Sequence, residues 1–207
     1  MNRILFLILL AFFGCERTQT NDQPATELSG FLRKERLLKD QAFAQAPYSP
    51  LPEAEKAGFK GLKYFGENPK LRFKLPLHRY EGAPVFKILT STSEKRDAQK
   101  YGYFEFEVDG VTTRLQVYKL LDTQEDYPGA LFVPFTDATS AAESYPGGRY
   151  LDLHENETGV YEVDFNLAYN PYCAYGNPGY SCPIPPMENA LAVAIRAGEK
   201  RYKTETH

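Results

Sequence analysis

Tryptophan is absent from the 207 residues, methionine occurs twice and cysteine three times, and there is no basic excess, because 24 Lys and Arg face 27 Asp and Glu for a net charge of −3. Without a positive patch the chain lacks the electrostatic term that binding to a phosphate backbone requires, so nucleic acid is not an expected partner. Long apolar runs are missing as well. The longest, Ile4 to Phe13, would rise about 15 Å as a helix, half of a roughly 30 Å hydrocarbon core, which argues against a membrane-spanning protein. No internal repeat, Gly-rich phosphate loop or Gly-x-Ser-x-Gly nucleophile elbow occurs. What is plentiful is Gly and Pro, fifteen of each, with fifteen Tyr and fourteen Phe, a composition of strands and tight turns more than of a helical bundle. The length suits one well-filled domain.

The N-terminus reads as an export signal. Met1-Asn2-Arg3 is a short positive head, Ile4 to Phe13 an apolar core, and Gly14 a small residue directly before Cys15. This arrangement resembles a bacterial lipoprotein signal, which implies cleavage after residue 14, acylation of Cys15 and attachment to the cell envelope. Glu16 in place of the aspartate that retains lipoproteins in the inner membrane implies the outer membrane. An ordinary periplasmic or secreted protein is the alternative. Loss of Arg3 with the signal would take the net charge to −4. Residues 15–27 contain no aliphatic or aromatic side chain larger than Ala beyond the lipidated cysteine, and read as a tether.

Residues 28–207 then read as a single β-rich domain. From Leu28 to Ala46, Phe31, Leu32, Leu38, Ala42 and Phe43 recur at helical spacing, with Ser29 as N-cap and Pro47 as stop. Arg33, Lys34, Glu35, Arg36, Lys39 and Asp40 fall on the expected solvated face. Beyond Asn68 the apolar period becomes two, through Leu71, Phe73 and Leu75 and then Val85 to Leu89. In the segment from Tyr103 to Tyr118 two alternating runs flank Asp109-Gly110, the signature of a type I′ hairpin. Further strands are expected at Leu131–Phe135, Tyr150–Leu153 and Val160–Phe165, the last two paired across the polar turn His154–Gly159. The predicted fold is therefore mainly β within the α+β class: an antiparallel β-sandwich or partly open barrel with one amphipathic N-terminal helix packed on it.

Several pieces carry a family resemblance. They are Arg33-Lys34-Glu35-Arg36 with Lys39-Asp40, Gly61-Leu62 with Tyr64-Phe65, Leu131-Phe-Val-Pro-Phe-Thr-Asp137, Gly148-Arg149-Tyr150, Asp164-Phe165-Asn166, and Ala168-Tyr-Asn-Pro171 followed by Cys173. To these are added Cys182 before Pro-Ile-Pro-Pro, Glu188-Asn189, and Ile195-Arg-Ala-Gly-Glu-Lys200. Together they resemble the bacterial and archaeal family catalogued as domain of unknown function 1684 over nearly the whole mature chain. Tyr145-Pro-Gly-Gly148 and Ala192 depart from the family's pattern. The resemblance implies a shared fold and a shared site, with no activity attached.

Three groups of residues could carry chemistry. Cys173 and Cys182, nine residues apart in a Pro- and Gly-rich segment of an exported domain, are most economically a disulfide. Zinc would need two more ligands, for which His154 and His207 are the available histidines, and a thiolate nucleophile would need a His partner and a reducing compartment. Asp152, His154, Glu155 and Glu157 are either a metal site or a solvated acidic loop, with the loop the simpler reading. Arg149, Asp164, Asn166, Asn170, Glu188, Asn189 and Arg196, set among Tyr150, Phe165, Tyr169, Tyr172, Tyr175 and Tyr180, are the candidate ligand-binding set. The same residues could instead cap loops and satisfy a buried polar network. The functional expectation is an exported lipoprotein that binds a small molecule or an envelope partner; the alternative is a hydrolase using Asp164 or Glu188 as acid or base beside Arg149 or Arg196. No metal and no cofactor is implied.

Overall fold

Residues able to take positive φ set the turns of this chain, and alternating apolar residues set its strands. The computed structural model describes residues 23–203, with side chains placed from Ser29 onward. The expected signal segment, Cys15 and the first part of the expected tether lie outside these residues. Helix α1 (Gln23–Gln45) and the single turn α2 (Glu53–Lys56) precede eight strands: β1 (Arg72–Pro76), β2 (His78–Arg79), β3 (Val85–Leu89), β4 (Lys95–Val108), β5 (Val111–Leu120), β6 (Ala130–Phe135), β7 (Arg149–His154) and β8 (Val160–Asp164). Every pairing between them is antiparallel. One sheet runs β2-β4-β5-β6-β7, with β3 on the same edge of β4 as β2, and a second consists of β1 and β8. The fold is thus mainly antiparallel β with one main helix, and the larger sheet is open rather than closed into a barrel.

Asp109 (φ 51°) and Gly110 (φ 80°) both occupy the left-handed region between β4 and β5, as a two-residue type I′ turn requires. A register shift between Lys100 and Gly102 then divides β4 into two functional halves. Beyond the bulge, Phe104, Phe106 and Val108 face the main core with Leu115 and Val117 of β5, Leu131, Val133 and Phe135 of β6, and Leu151 of β7. This core is closed from the other side by Phe73 and Leu75 of β1, Tyr161 and Val163 of β8, and the C-terminal residues Leu191, Val193, Ile195 and Ala197. Before the bulge the alternation is reversed, so Ala98 points to the opposite face of the sheet. There it joins Ile88, Leu120, Phe132 and Tyr150 in a second, smaller core. That second face positions the site described below.

Three local expectations are corrected. Strand β8 pairs with β1, from Arg72↔Asp164 to Pro76↔Val160, and not with β7, whose partner is β6. The turn His154–Gly159 therefore crosses between sheets, and Tyr161 and Val163 are buried in the main core. The helix begins at Gln23, so residues 23–27 are helical and Ser29 lies within the helix rather than capping it. Its docked stripe is also different. Leu32 and Phe43 are buried, but Phe31 and Leu38 are each 48% exposed, while Arg36, Lys39 and Asp40 turn inward. The reason lies in the segment beneath: Glu199 is buried there, and a buried carboxylate left without a cation would be costly. Lys39 pairs with it, Arg36 stacks on Tyr64 at 4.3 Å, and Asp40 accepts from the Leu62 N–H at 2.9 Å.

Candidate functional site

Strand β7 presents Arg149 and Leu151 to one face of the sheet and Tyr150 and Asp152 to the other, because successive side chains alternate. The sequence-predicted binding set is divided by this alternation. Arg149 is fully buried on the main-core side and donates to the carbonyls of Ile195 (2.7 Å), Ala197 and Glu199 (3.2 Å) and to Asp137 Oδ1 at 3.3 Å. It fastens the irregular C-terminal segment to the sheet. Asp164 caps the turn Phe165–Leu167 by accepting from the Asn166 N–H at 2.9 Å, and Asn166 clamps Asn68 through both its N–H and its carbonyl. Asn170 donates through its backbone to Glu199 Oε2 and through its side chain to the Lys200 carbonyl.

Asn189 replaces a stretch of missing ladder. Strands β5 and β6 pair in register only at Tyr118↔Phe132. Beside that pair, the Asn189 side chain accepts from the Gln116 N–H at 2.7 Å and donates to the carbonyls of Gln116 and Pro134. Glu188 accepts from the Tyr118 hydroxyl at 2.6 Å and pairs with Lys100 at 2.6 Å. Arg196 is exposed and pairs with Glu143. These residues do not converge on one pocket; each is occupied in holding a neighbouring segment.

Of the aromatic surround, Tyr150, Tyr169, Tyr172 and Tyr180 do assemble, whereas Phe165 lies in the main core and Tyr175 in a separate cluster with Phe43 and Leu51. On the outer face of the larger sheet a two-lobed cleft is lined at its waist by Arg96, Tyr150, Asp152, Tyr169 and Pro183. One lobe, about 400 Å³, is predominantly apolar and is formed with Leu120, Tyr127, Ala130, Leu131 and Phe132. The other, about 500 Å³, is more polar and is formed with Lys39, Pro171, Tyr172, Tyr180, Ser181 and Cys182. Tyr169 is held beside β7 by a reciprocal backbone pair with Tyr150 (2.9 and 3.0 Å), and the two rings meet edge to face at 5.8 Å. The Tyr150 hydroxyl donates to the Pro183 carbonyl, fixing the opposite wall.

That wall is braced by a disulfide between Cys173 and Cys182. The closed loop carries Tyr180, whose ring meets that of Tyr172, the residue just before the bridge, edge to face at 5.0 Å, and Cys182 and its neighbour Pro183 are tied to the β3–β4 turn through Ser91 and the Thr90↔Pro183 bridge.

The cleft's ionic groups differ in how far they are satisfied. Arg96 makes a two-point contact with Asp122 at 2.7 and 2.8 Å, and this hydrogen bonding holds the Asp122 carboxyl below its usual range. Lys39 pairs with Glu199 and lies 4.8 Å over the Tyr169 ring. Asp152 accepts from the Tyr169 hydroxyl at 2.6 Å and stands open at the waist. The surrounding protein displaces enough water from its carboxyl to raise the pKa above the ordinary value, against the opposing hydrogen bond from Tyr169 and the more distant charge of Lys39. Burial likewise keeps the Tyr150 and Tyr169 hydroxyls protonated, so both act as donors.

The acidic loop does not form one site. Asp152 belongs to the cleft, the His154 Nε2 lies 2.8 Å from the Pro128 carbonyl, and Glu155 pairs with Lys119. Among the described residues no three His, Cys, Asp or Glu side chains come together as a metal ion would require, and no helix is long and apolar enough to cross a membrane. The cleft brings together Tyr150, Tyr169, Tyr172 and Tyr180 of the sequence-predicted set without its polar members; its ionic side chains are Asp152, expected in the acidic loop, Lys39, expected on the solvated helix face, and Arg96, which the sequence reading did not single out. The available signal was the period of two on β7, which separates Arg149 from Tyr150 and groups Asp152 with it.

Comparisons with known proteins add fold and kinship. The profile described as "Protein of unknown function (DUF1684)" matches residues 57–200. The solution NMR structure of an uncharacterized protein from Haloarcula marismortui is 33% identical in sequence, with a TM-score of 0.65, over 86% of this chain and 97% of that one. That relative folds in solution over a length this domain nearly matches. No curated protein matches the chain.

Proposed function

We propose, from the premise that the chain belongs to the DUF1684 family of proteins of unknown function, that its domain is a binding module for a small amphipathic molecule, held in the two-lobed cleft. The observation that carries this reading is the junction of an apolar lobe and a tyrosine-rich polar lobe at one waist, with volumes in the range of small-molecule sites. The hydrolase reading built on Asp164 or Glu188 loses its support, since the first caps a turn and the second is paired with Lys100 and Tyr118, and neither lines the cleft. Export and lipid attachment complete the proposal. They rest on the apolar run Ile4 to Phe13 and on Gly14-Cys15, and two or more acyl chains on Cys15 would hold the module at the envelope.

Two measurements test the proposal. In the first, an isotope-labelled chain beginning at Glu16 is screened against small aromatic and aliphatic fragments by amide shift perturbation. Shifts should concentrate at β7, at Tyr169 and in the Cys173–Cys182 loop; a screen in which no fragment moves these amides refutes the cleft as a binding site. In the second, labelled palmitate is supplied to cells expressing the full chain. Incorporation that survives Cys15→Ser refutes the anchor.

A further inference from the structure

The cleft's preference for a charge sign follows from which of its ionic groups are already spent. Both cations that line it are paired, Lys39 with buried Glu199 and Arg96 with Asp122. Asp152 forms no ion pair with a described cation; its partner is the neutral Tyr169 hydroxyl. Counted with their partners Glu199 and Asp122, the two lining cations are offset, and the carboxylate left over is Asp152 at the waist that both lobes share. Around that carboxylate stand Tyr150, Tyr172 and Tyr180, whose electron-rich rings favour a cation over an anion, and Tyr169, whose ring already has Lys39 over it at 4.8 Å. Next to it the apolar lobe, floored by Leu120 and Phe132, offers burial for a hydrocarbon portion.

We propose that the ligand is an amphipathic organic amine, with its ammonium group against Asp152 between the tyrosine rings and its apolar portion in the lobe over Leu120 and Phe132. This rests on the cleft being the ligand site. The fit is one of charge complementarity and shape together. An ammonium placed here gains a charge-assisted hydrogen bond to the open carboxylate. A carboxylate or phosphate in the same position would meet Asp152 at close range, and would have to share Lys39 with Glu199 and Arg96 with Asp122. A neutral amphiphile would fill the apolar lobe and leave Asp152 without a new partner.

The test uses three probes with the same six-carbon tail, hexylammonium, hexanoate and hexanol, titrated at neutral pH into the chain beginning at Glu16 and followed by amide shift perturbation. Hexylammonium should move the amides of Tyr150, Asp152 and Tyr169 and bind at least tenfold more tightly than the other two. Asp152→Asn, which keeps the shape and can still accept from Tyr169, should bring hexylammonium down to the level of hexanol. Equal or tighter binding of hexanoate or hexanol in the cleft overturns the amine assignment and leaves the cleft as a ligand site. Hexylammonium binding unchanged by Asp152→Asn also overturns it. If none of the three perturbs the cleft, both the amine assignment and the cleft reading fall.

Discussion

Replacing Arg149 by Met separates a structural role from a ligand-binding one. Met keeps the length of the side chain and removes its charge and all of its donors. The carbonyls of Ile195, Ala197 and Glu199 then lose a partner in the interior, and Asp137 loses the guanidinium beside it. Breaking one side of a buried ion pair costs about 3–5 kcal/mol. Asp137 retains the Thr139 N–H at 3.2 Å, the Thr139 hydroxyl at 3.0 Å and the Ile195 N–H at 2.7 Å, which places the expected loss in the lower part of that range, about 3–4 kcal/mol. For a domain of this size that corresponds to a fall of roughly 6–16 °C in the melting temperature, and it removes a large part of a typical total stability of about 5–15 kcal/mol. Urea unfolding followed by circular dichroism on the chain beginning at Glu16 measures it directly. Arg149→Lys should recover only part of the loss, since a point charge cannot reach three carbonyls and a carboxylate at once. A loss below about 1 kcal/mol for Arg149→Met, at unchanged denaturant slope, would refute the network as described and return Arg149 to the list of binding residues.

Opening the Cys173–Cys182 bridge releases a ten-residue loop and should cost about 2–3 kcal/mol in the chain-entropy account, read as a difference in melting temperature between oxidised and reduced protein; coincident melting curves would contradict it. Leu32→Ala, at a position 2% exposed, should cost about 2–4 kcal/mol, whereas Phe31→Ala and Leu38→Ala should stay within about 0.5 kcal/mol of the parent; the reverse ranking would mean that α1 docks through its other face. Asp152 has a folded-state pKa above its unfolded value, so the native state binds more protons and stability falls as pH rises through that interval. Asp152→Asn should therefore raise the melting temperature at neutral pH and leave it unchanged near pH 2, and melting curves across pH in which the variant is less stable at neutrality would count against the upward shift of that carboxyl.

The parts of the fold that sequence could reveal are those decided within a few residues. Asp109-Gly110 turns the chain because both residues accept positive φ, and the alternation on either side of it states which residues share a face. Cys173 and Cys182 are close enough in sequence that few geometries keep them apart. Which sheet a strand joins is not decided at that range. Val160–Asp164 has the same alternation whether it lies beside β7 or β1, and its place beside β1 comes from the apolar surface it covers.

The site shows the same division. Tyrosines at 150, 169, 172 and 180 announce an aromatic surface, and the period of two already sets Tyr150 and Asp152 apart from Arg149. By itself, then, the sequence determined the turns, the strand faces and the aromatic character of the cleft, because steric limits on φ and the pleat of a strand act locally. Only the tertiary structure decided that Arg149, Asn170 and Asn189 are consumed by backbone groups of the C-terminal segment and the β5–β6 gap, and that Lys39 of α1, Arg96 of β4 and Asp152 of β7 line one cleft. A polar side chain has the same composition and spacing whether it waits for a ligand or is already satisfied, and its partners are fixed by segments distant in the chain.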